Sequence, residues 1–119
     1  MKNIIVNING IPTLQVKDPS ALRDYVLIDV RRFDEFIGEL GHIEGAKLIT
    51  LGETLDQFLK NESQSKPILF ICRSGARSGQ ATQQALSNGF KQVYNLEGGM
   101  MLWSEKTSRS KRINKKRDL

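Results

Sequence analysis

The chain has 119 residues, enough for one domain that buries a core without disulfide support. Its single cysteine excludes an intramolecular disulfide, so a reducing, cytoplasmic location is expected. The net charge is +5, but residues 105–119 hold seven basic and two acidic side chains, which equals the whole excess. The neutral remainder argues against a nucleic-acid-binding domain, and no stretch approaches the roughly 20 apolar residues that span a bilayer.

The first elements are two short β-like segments and a brief helix. Residues 4–8 and 13–16 have strand character and are separated by Gly10 and Pro12, which favour a turn. Asp18-Pro19-Ser20 is typical of a helix start, and the helix is predicted over 20–25. The apolar run 25–30 then predicts a strand buried on both faces, with Asp29 at its end.

The middle of the chain alternates helical and strand-like patterns. Residues 31–37 favour one or two helical turns, and a glycine-containing loop with the lone His42 follows. Residues 46–51 predict a strand. Residues 53–61 predict a helix, because their apolar side chains recur at helical spacing.

The second half repeats this alternation around the only cysteine. A strand is predicted over 68–71, a helix over 78–88, a strand over 93–96 and a short helix over 100–104. Strands and helices that alternate at this spacing predict an α/β layer fold with a parallel sheet. Apolar residues nearly vanish near Glu105, so we expect a domain over 1–104 and a basic tail over 105–119.

The loop after the strand 68–71 has the composition of a reactive anion site. A lone cysteine at the end of a buried strand is usually a small apolar residue. Here Gly75 and Ala76 leave room for backbone N–H groups to face the Cys72 sulfur, and a helix N-terminus follows. Arg73 and Arg77 add positive charge. Each feature stabilises a thiolate, so the pKa of Cys72 should fall below its free value of about 8.5.

The length of this loop distinguishes between kinds of chemistry. Four residues separate Cys72 from Arg77. This is one fewer than in C-x5-R phosphatases, whose loop encloses a tetrahedral oxyanion. The smaller loop suits a bare or singly extended sulfur better than a phosphate.

Three segments together resemble the single-domain rhodaneses, a family of sulfurtransferases, over about residues 13–104. They are Leu27-Ile28-Asp29-Val30-Arg31 with Glu35-Phe36 and Gly41-His42-Ile43-Glu44-Gly45-Ala46, then Cys72-Arg73-Ser74-Gly75-Ala76-Arg77-Ser78, then Val93-Tyr94-Asn95-Leu96-Glu97-Gly98-Gly99 with Trp103.

The resemblance implies a rhodanese-like α/β fold with a central, mostly parallel five-stranded sheet and helices on both faces. It implies that Cys72 attacks the sulfane sulfur of a small anionic donor such as thiosulfate, becomes a persulfide, and passes the sulfur to cyanide or a thiol. A protein sulfur carrier could supply that thiol. The donor would be bound by the loop residues Arg73, Ser74, Gly75, Ala76, Arg77 and Ser78. No metal and no cofactor is expected.

Several nearby residues have both structural and functional interpretations. Asp29 is either a capping acid or, as the resemblance implies, a support for the active loop. Arg31 is expected to form an ion pair with Glu35, four residues later, and a substrate role is the lesser alternative. His42 is expected to hydrogen-bond within its loop, and Trp103 to pack in the core.

Two alternatives to a sulfurtransferase remain. One is a regulatory or binding module without turnover, which the intact cysteine loop disfavours. The other is a phosphatase or arsenate reductase, which the loop length and the lack of a second cysteine disfavour. The tail 105–119 is interpreted first as a solvated end, and its functional alternatives are contact with RNA or with an acidic protein. It lacks aromatic anchors for a membrane surface.

Overall fold

The computed structural model describes residues 3–107, which form one six-stranded sheet with helices around it. The strands are β1 (Ile4–Ile8), β2 (Ile11–Gln15), β3 (Val26–Asp29), β4 (Lys47–Leu48), β5 (Ile68–Ile71) and β6 (Val93–Leu96). Their order across the sheet is β1-β2-β6-β5-β3-β4. In this described part of the chain, no helix has the length and apolar character needed to cross a bilayer.

The helices connect these strands. A 3-10 helix spans Pro19–Asp24, α1 spans Phe33–Phe36, α2 spans Glu53–Asn61 and α3 spans Ala76–Ser87. Residues 99–107 form a last helix, α4. The predicted start at Asp18 is confirmed, because its side chain accepts a hydrogen bond from the backbone N–H of Ser20.

The predicted mostly parallel sheet is confirmed, with one strand more than the five expected. Strands β2, β6, β5, β3 and β4 are all parallel. The sixth strand, β1, pairs antiparallel with β2 and extends the sheet at its edge. The hairpin turns at Asn9 and Gly10, which have φ of 52° and 82°. Such left-handed pairs are typical of tight β-hairpins, and Pro12 lies in β2 rather than in the turn.

Helices cover both faces of the sheet, as predicted, because β5 and β3 are apolar on both sides. One buried cluster packs α2 and α3 against the face that carries Phe70 and Ile28. The other cluster packs Leu22 and Met100 against the face that carries Leu69. All four residues of β5 are buried, so the strand that precedes Cys72 lies at the centre of the molecule.

Some predicted boundaries differ from the observed ones. The strand predicted over 46–51 is only the two-residue β4. Helix α3 begins at Ala76, two residues before the predicted start. Helix α4 continues through residue 107, past the expected domain boundary at Glu105. The part of the predicted tail over 108–119 lies outside the described residues.

Candidate active site

Cys72 directly follows β5, and its side chain is only 1% exposed. The next three residues turn the chain into α3, whose N-cap is Gly75 with φ of 113°. A side chain is strained at that φ, so glycine suits this turn. The strand end and the helix N-terminus therefore meet at the sulfur, at the carboxyl edge of the sheet where α/β proteins bind ligands.

Two donors approach the sulfur within hydrogen-bond distance. The backbone N–H of Gly75 lies 3.0 Å from Sγ of Cys72, and Oγ of Ser78 lies 3.2 Å from it. Burial of the thiol raises its pKa. The Ser78 hydroxyl and the backbone N–H groups of Ser78, Gly75 and Ser74 act in the opposite direction and outweigh burial. The pKa of Cys72 is thus held below its ordinary value, as the sequence predicted.

The carbonyl groups of Cys72 and Arg73 are bound by α4. The backbone N–H of Met100 donates to the carbonyl of Cys72 at 2.8 Å, and that of Met101 donates to the carbonyl of Arg73 at 2.9 Å. The first turn of α4 therefore supplies its unpaired N–H groups to the loop. These two hydrogen bonds hold the start of the loop against α4.

Gly99 allows this close approach of α4. A Cβ atom there would lie 2.5 Å from the carbonyl oxygen of Cys72 and 2.6 Å from the carbonyl carbon and oxygen of Arg73. Backbone atoms cannot move aside as a flexible side chain can. The Gly98-Gly99 pair that the sequence analysis noted as part of a motif thus allows the loop and the helix to touch.

Asn95 is a site residue that the sequence analysis did not single out. It lies in β6, next to the loop, and is 9% exposed. Its side-chain amide donates to the carbonyl of Gly75 at 3.0 Å, and its oxygen accepts from the hydroxyl of Ser78 at 2.5 Å. It therefore holds both of the residues that approach the sulfur. The sequence does contain a signal for this role, because Asn95 is a polar residue near the end of β6, which is parallel to β5.

Arg77 has a partner that the sequence did not predict. Its two terminal nitrogens donate to the two carboxylate oxygens of Glu35 in α1, at 2.6 and 2.8 Å. The hydrogen bond from Arg77 is the main reason that the pKa of Glu35 falls from 4.5 to about 2. Glu35 is therefore ionised near neutral pH, and it offsets the charge of Arg77.

Arg31 pairs with Asp29, so the expected ion pair between Arg31 and Glu35 is wrong. The guanidinium donates to both carboxylate oxygens of Asp29, at 2.9 and 2.8 Å, and the two side chains are 1% and 0% exposed. Arg31 reaches only the backbone carbonyl of Glu35, and it also donates to the carbonyl of Gly41. The buried pair thus fixes α1 and the following loop.

A cleft of about 110 Å³ opens between the α1 side and the active loop. Its charged lining residues are Arg31, Asp34, Glu35, Glu39 and Arg73. Asp29 and Arg31 have no hydrogen bond to residues 72–78 within the described part of the chain.

The remaining candidates have structural contacts. The Nδ1 atom of His42 hydrogen-bonds the carbonyl of Phe36 at 2.9 Å, and the two rings stack with centroids 3.7 Å apart. This confirms His42 as a hydrogen-bonding loop residue. Trp103 is partly buried against the apolar cluster around Leu69, which confirms that it packs.

Comparison with known proteins identifies a consistent group of relatives. A family model described as a rhodanese-like domain matches residues 13–106. The protein YqhL of Bacillus subtilis is 42% identical over 86 residues, which cover 71% of this chain and 65% of that protein. Thiosulfate sulfurtransferase GlpE of Coxiella burnetii is 35% identical over 81 residues, which cover 68% of this chain and 73% of that enzyme.

Solved structures give the same grouping. The human single-domain sulfurtransferase TSTD1 superposes with a TM-score of 0.65 and 31% identity, and the match covers 73% of this chain and 87% of that one. A rhodanese-related protein from Thermoplasma volcanium superposes with a TM-score of 0.64 and 30% identity, covering 73% and 83% of the two chains.

Proposed function

The chain belongs to the rhodanese-like domain family, and we propose that it transfers sulfane sulfur through a persulfide on Cys72. Membership confirms the resemblance found in the sequence, and the family includes sulfurtransferases such as the Coxiella enzyme. The donor, the acceptor and the persulfide are our proposal for this chain.

One observation carries the proposal. A single buried sulfur is approached by backbone N–H groups and the Ser78 hydroxyl, in a loop one residue shorter than that of C-x5-R phosphatases. Donors in this arrangement stabilise a thiolate and then the terminal sulfur of a persulfide. A preformed thiolate needs no separate general base.

The proposed reaction has two displacements. The Cys72 thiolate forms a bond to the outer sulfur of thiosulfate, the bond from that sulfur to the sulfite sulfur breaks, and sulfite leaves with the electron pair. An acceptor thiolate or cyanide then attacks the outer sulfur of the persulfide, and the Cys72 thiolate is regenerated. No net oxidant or reductant is needed, and ping-pong kinetics follow.

The roles of the neighbouring residues follow from their contacts. The N–H groups of residues 74–78 would bind the outer sulfur once it is attached to Cys72. Arg73 would face the incoming donor from the rim of the cleft. As the resemblance implies, Asp29 would support the active loop, and Arg31 would hold the Asp29 carboxylate in place. A protein sulfur carrier with an exposed thiol would serve as an acceptor.

Mass spectrometry of the intact protein tests this function. Incubation with thiosulfate should add the mass of one sulfur atom, and cyanide should remove it. Cys72→Ser, the matched control, should show no addition. A protein that gains no sulfur from any sulfane donor would refute the proposal and favour a binding module.

A further inference from the structure

We infer that Glu35 determines which sulfur donors the site accepts, by offsetting Arg77 and so disfavouring doubly charged donors. This inference rests on the proposed function and concerns the same site. Arg77 lies in the first turn of α3, five residues after Cys72, and alone it would attract an anion. Its two terminal nitrogens instead bind the carboxylate of Glu35 at 2.6 and 2.8 Å.

The ion pair between Glu35 and Arg77 is stabilised by partial burial and by its geometry. The side chain of Glu35 is only 15% exposed and that of Arg77 is 32% exposed. The bidentate geometry matches the guanidinium fork to the carboxylate. The backbone N–H of Arg32 also hydrogen-bonds Glu35 at 3.2 Å, which orients the carboxylate. The charge of Arg77 is thus offset before any donor arrives.

The other charges around the cleft are balanced as well. Arg31 pairs with Asp29, and Arg32 pairs with Asp34 and, at 3.7 Å, with Glu35. Arg73 and Glu39 line the cleft and have no ion pair within residues 3–107. The charged residues that line the cleft, together with the residues they pair with, comprise four basic and four acidic side chains. They are Asp29, Arg31, Arg32, Asp34, Glu35, Glu39, Arg73 and Arg77. Their formal charges cancel.

A charge-balanced cleft discriminates by the charge of the donor. Thiosulfate carries two negative charges and gains most from a net positive site, whereas a neutral or singly charged donor gains little. The geometry therefore points to a low-charge organic hydropersulfide, R–S–SH, as the preferred donor class. The Cys72 thiolate would bond to the outer sulfur, the S–S bond of the donor would break, and R–S⁻ would leave with the electron pair.

Glu35→Gln tests this selectivity. Glutamine retains the shape of the side chain and one acceptor for Arg77, but it removes the negative charge. Persulfide formation is followed in single turnovers by quenching and intact mass, with thiosulfate or cysteine hydropersulfide as the donor. We expect the rate constant for thiosulfate to rise about three- to tenfold. The rate constant for cysteine hydropersulfide should stay within about twofold of the original protein.

Glu39→Gln is the matched control. It removes a carboxylate from the same cleft, but Glu39 is not paired with Arg77. Because Glu39 is exposed and forms no ion pair within residues 3–107, its charge is screened by water and masks no arginine of the site. Its effect on the thiosulfate rate should therefore stay below about twofold. An effect of Glu35→Gln no larger than this, or an equal effect on both donors, would overturn the inference.

The unmodified protein provides a second test that does not depend on any variant. A charge-balanced cleft should show little salt dependence, so the thiosulfate rate should change less than about twofold between about 0.02 and 0.3 M ionic strength. A steep fall with salt would overturn the inference while leaving sulfur transfer intact. Failure of the unmodified protein to form a persulfide with either donor would instead overturn the proposed function, and the inference with it.

Discussion

The Cys72 sulfur is held between opposing effects at the scale of single residues. Its burial disfavours the charged thiolate, and several hydrogen-bond donors favour it. Among these donors the Ser78 hydroxyl has a special position, because it also lies 2.5 Å from the oxygen of Asn95. A hydroxyl has one proton, so Ser78 can donate to the sulfur or to Asn95 but not fully to both.

Ser78→Ala should raise the pKa of Cys72. The variant removes a side-chain donor that favours the thiolate, and it leaves the burial that disfavours it. Thiolate absorbance in the ultraviolet, followed against pH, should therefore titrate at a higher pH than in the original protein. At a pH between the two values, less thiolate is present and persulfide formation slows.

Ser74→Ala is the control for this titration. Ser74 is exposed and contributes its backbone N–H, which alanine retains. Its thiolate should titrate as in the original protein. If Ser78→Ala also titrates unchanged, the backbone amides alone stabilise the thiolate.

Sequence patterns could identify Cys72 and its loop, but not every partner of the loop. Small residues between a strand and a helix are adjacent in the chain, so local rules predict how they turn. Glu35 and Arg77 are 42 positions apart. Helical spacing favoured Arg31 as the partner of Glu35, but the buried Asp29 binds Arg31 more fully. The pairing of Glu35 with Arg77 depends on how the ends of β3 and β5 align across the sheet, which no local pattern shows.

At the scale of elements, the site is formed by three neighbouring segments. Strand β5 ends at the sulfur, α3 begins beside it, and the first turn of α4 binds the carbonyls of Cys72 and Arg73. All three segments were predicted from the sequence, although α3 begins two residues earlier and α4 ends three residues later than expected. The sequence did not predict that α4 would touch the loop, since that contact depends on the turn after β6.

Gly99→Ala should destabilise the protein and disturb the loop. The added methyl group would overlap the backbone of Cys72 and Arg73, and φ at this position is +56°. Gly10→Ala is the matched control, since its φ is +82° and nothing lies within 4 Å of the added atom. Conformational strain alone costs about 1–2 kcal/mol, and the overlap adds about 1–3 kcal/mol.

Urea unfolding compares the two variants, and single-turnover persulfide formation reports on the loop. Gly99→Ala should lose more stability than Gly10→Ala and should also transfer sulfur more slowly. If Gly99→Ala loses no more stability than Gly10→Ala and transfers sulfur at the same rate, α4 can shift to make room for the methyl group without affecting the loop.

At the scale of the whole molecule, the net positive charge is carried by one end of the sequence, and residues 1–107 are neutral. Residues 108–119 contain six basic side chains and one acidic one, which equals the net charge of the entire chain. The site has its own balance of charge, as described above. The basic end and the cleft are therefore expected to serve different partners.

Deletion of residues 108–119 should leave sulfur transfer from thiosulfate within about twofold of the full chain, because the cleft and the active loop are formed by residues 31–78. If one of the functional alternatives for the tail holds, deletion should also weaken binding to RNA or to an acidic protein. Single-turnover rates and binding to a single-stranded RNA or an acidic peptide check this. A large loss of thiosulfate chemistry on deletion would show that the tail contributes to the site.

The contact between α4 and the loop also has an entropic consequence for the proposed reaction. The backbone of the loop loses its conformational freedom when the chain folds, since its carbonyls are already bound by Met100 and Met101. Little ordering of the protein is then left for the moment when a donor binds. The activation entropy of sulfur transfer should therefore reflect mainly the donor's own loss of translation and rotation.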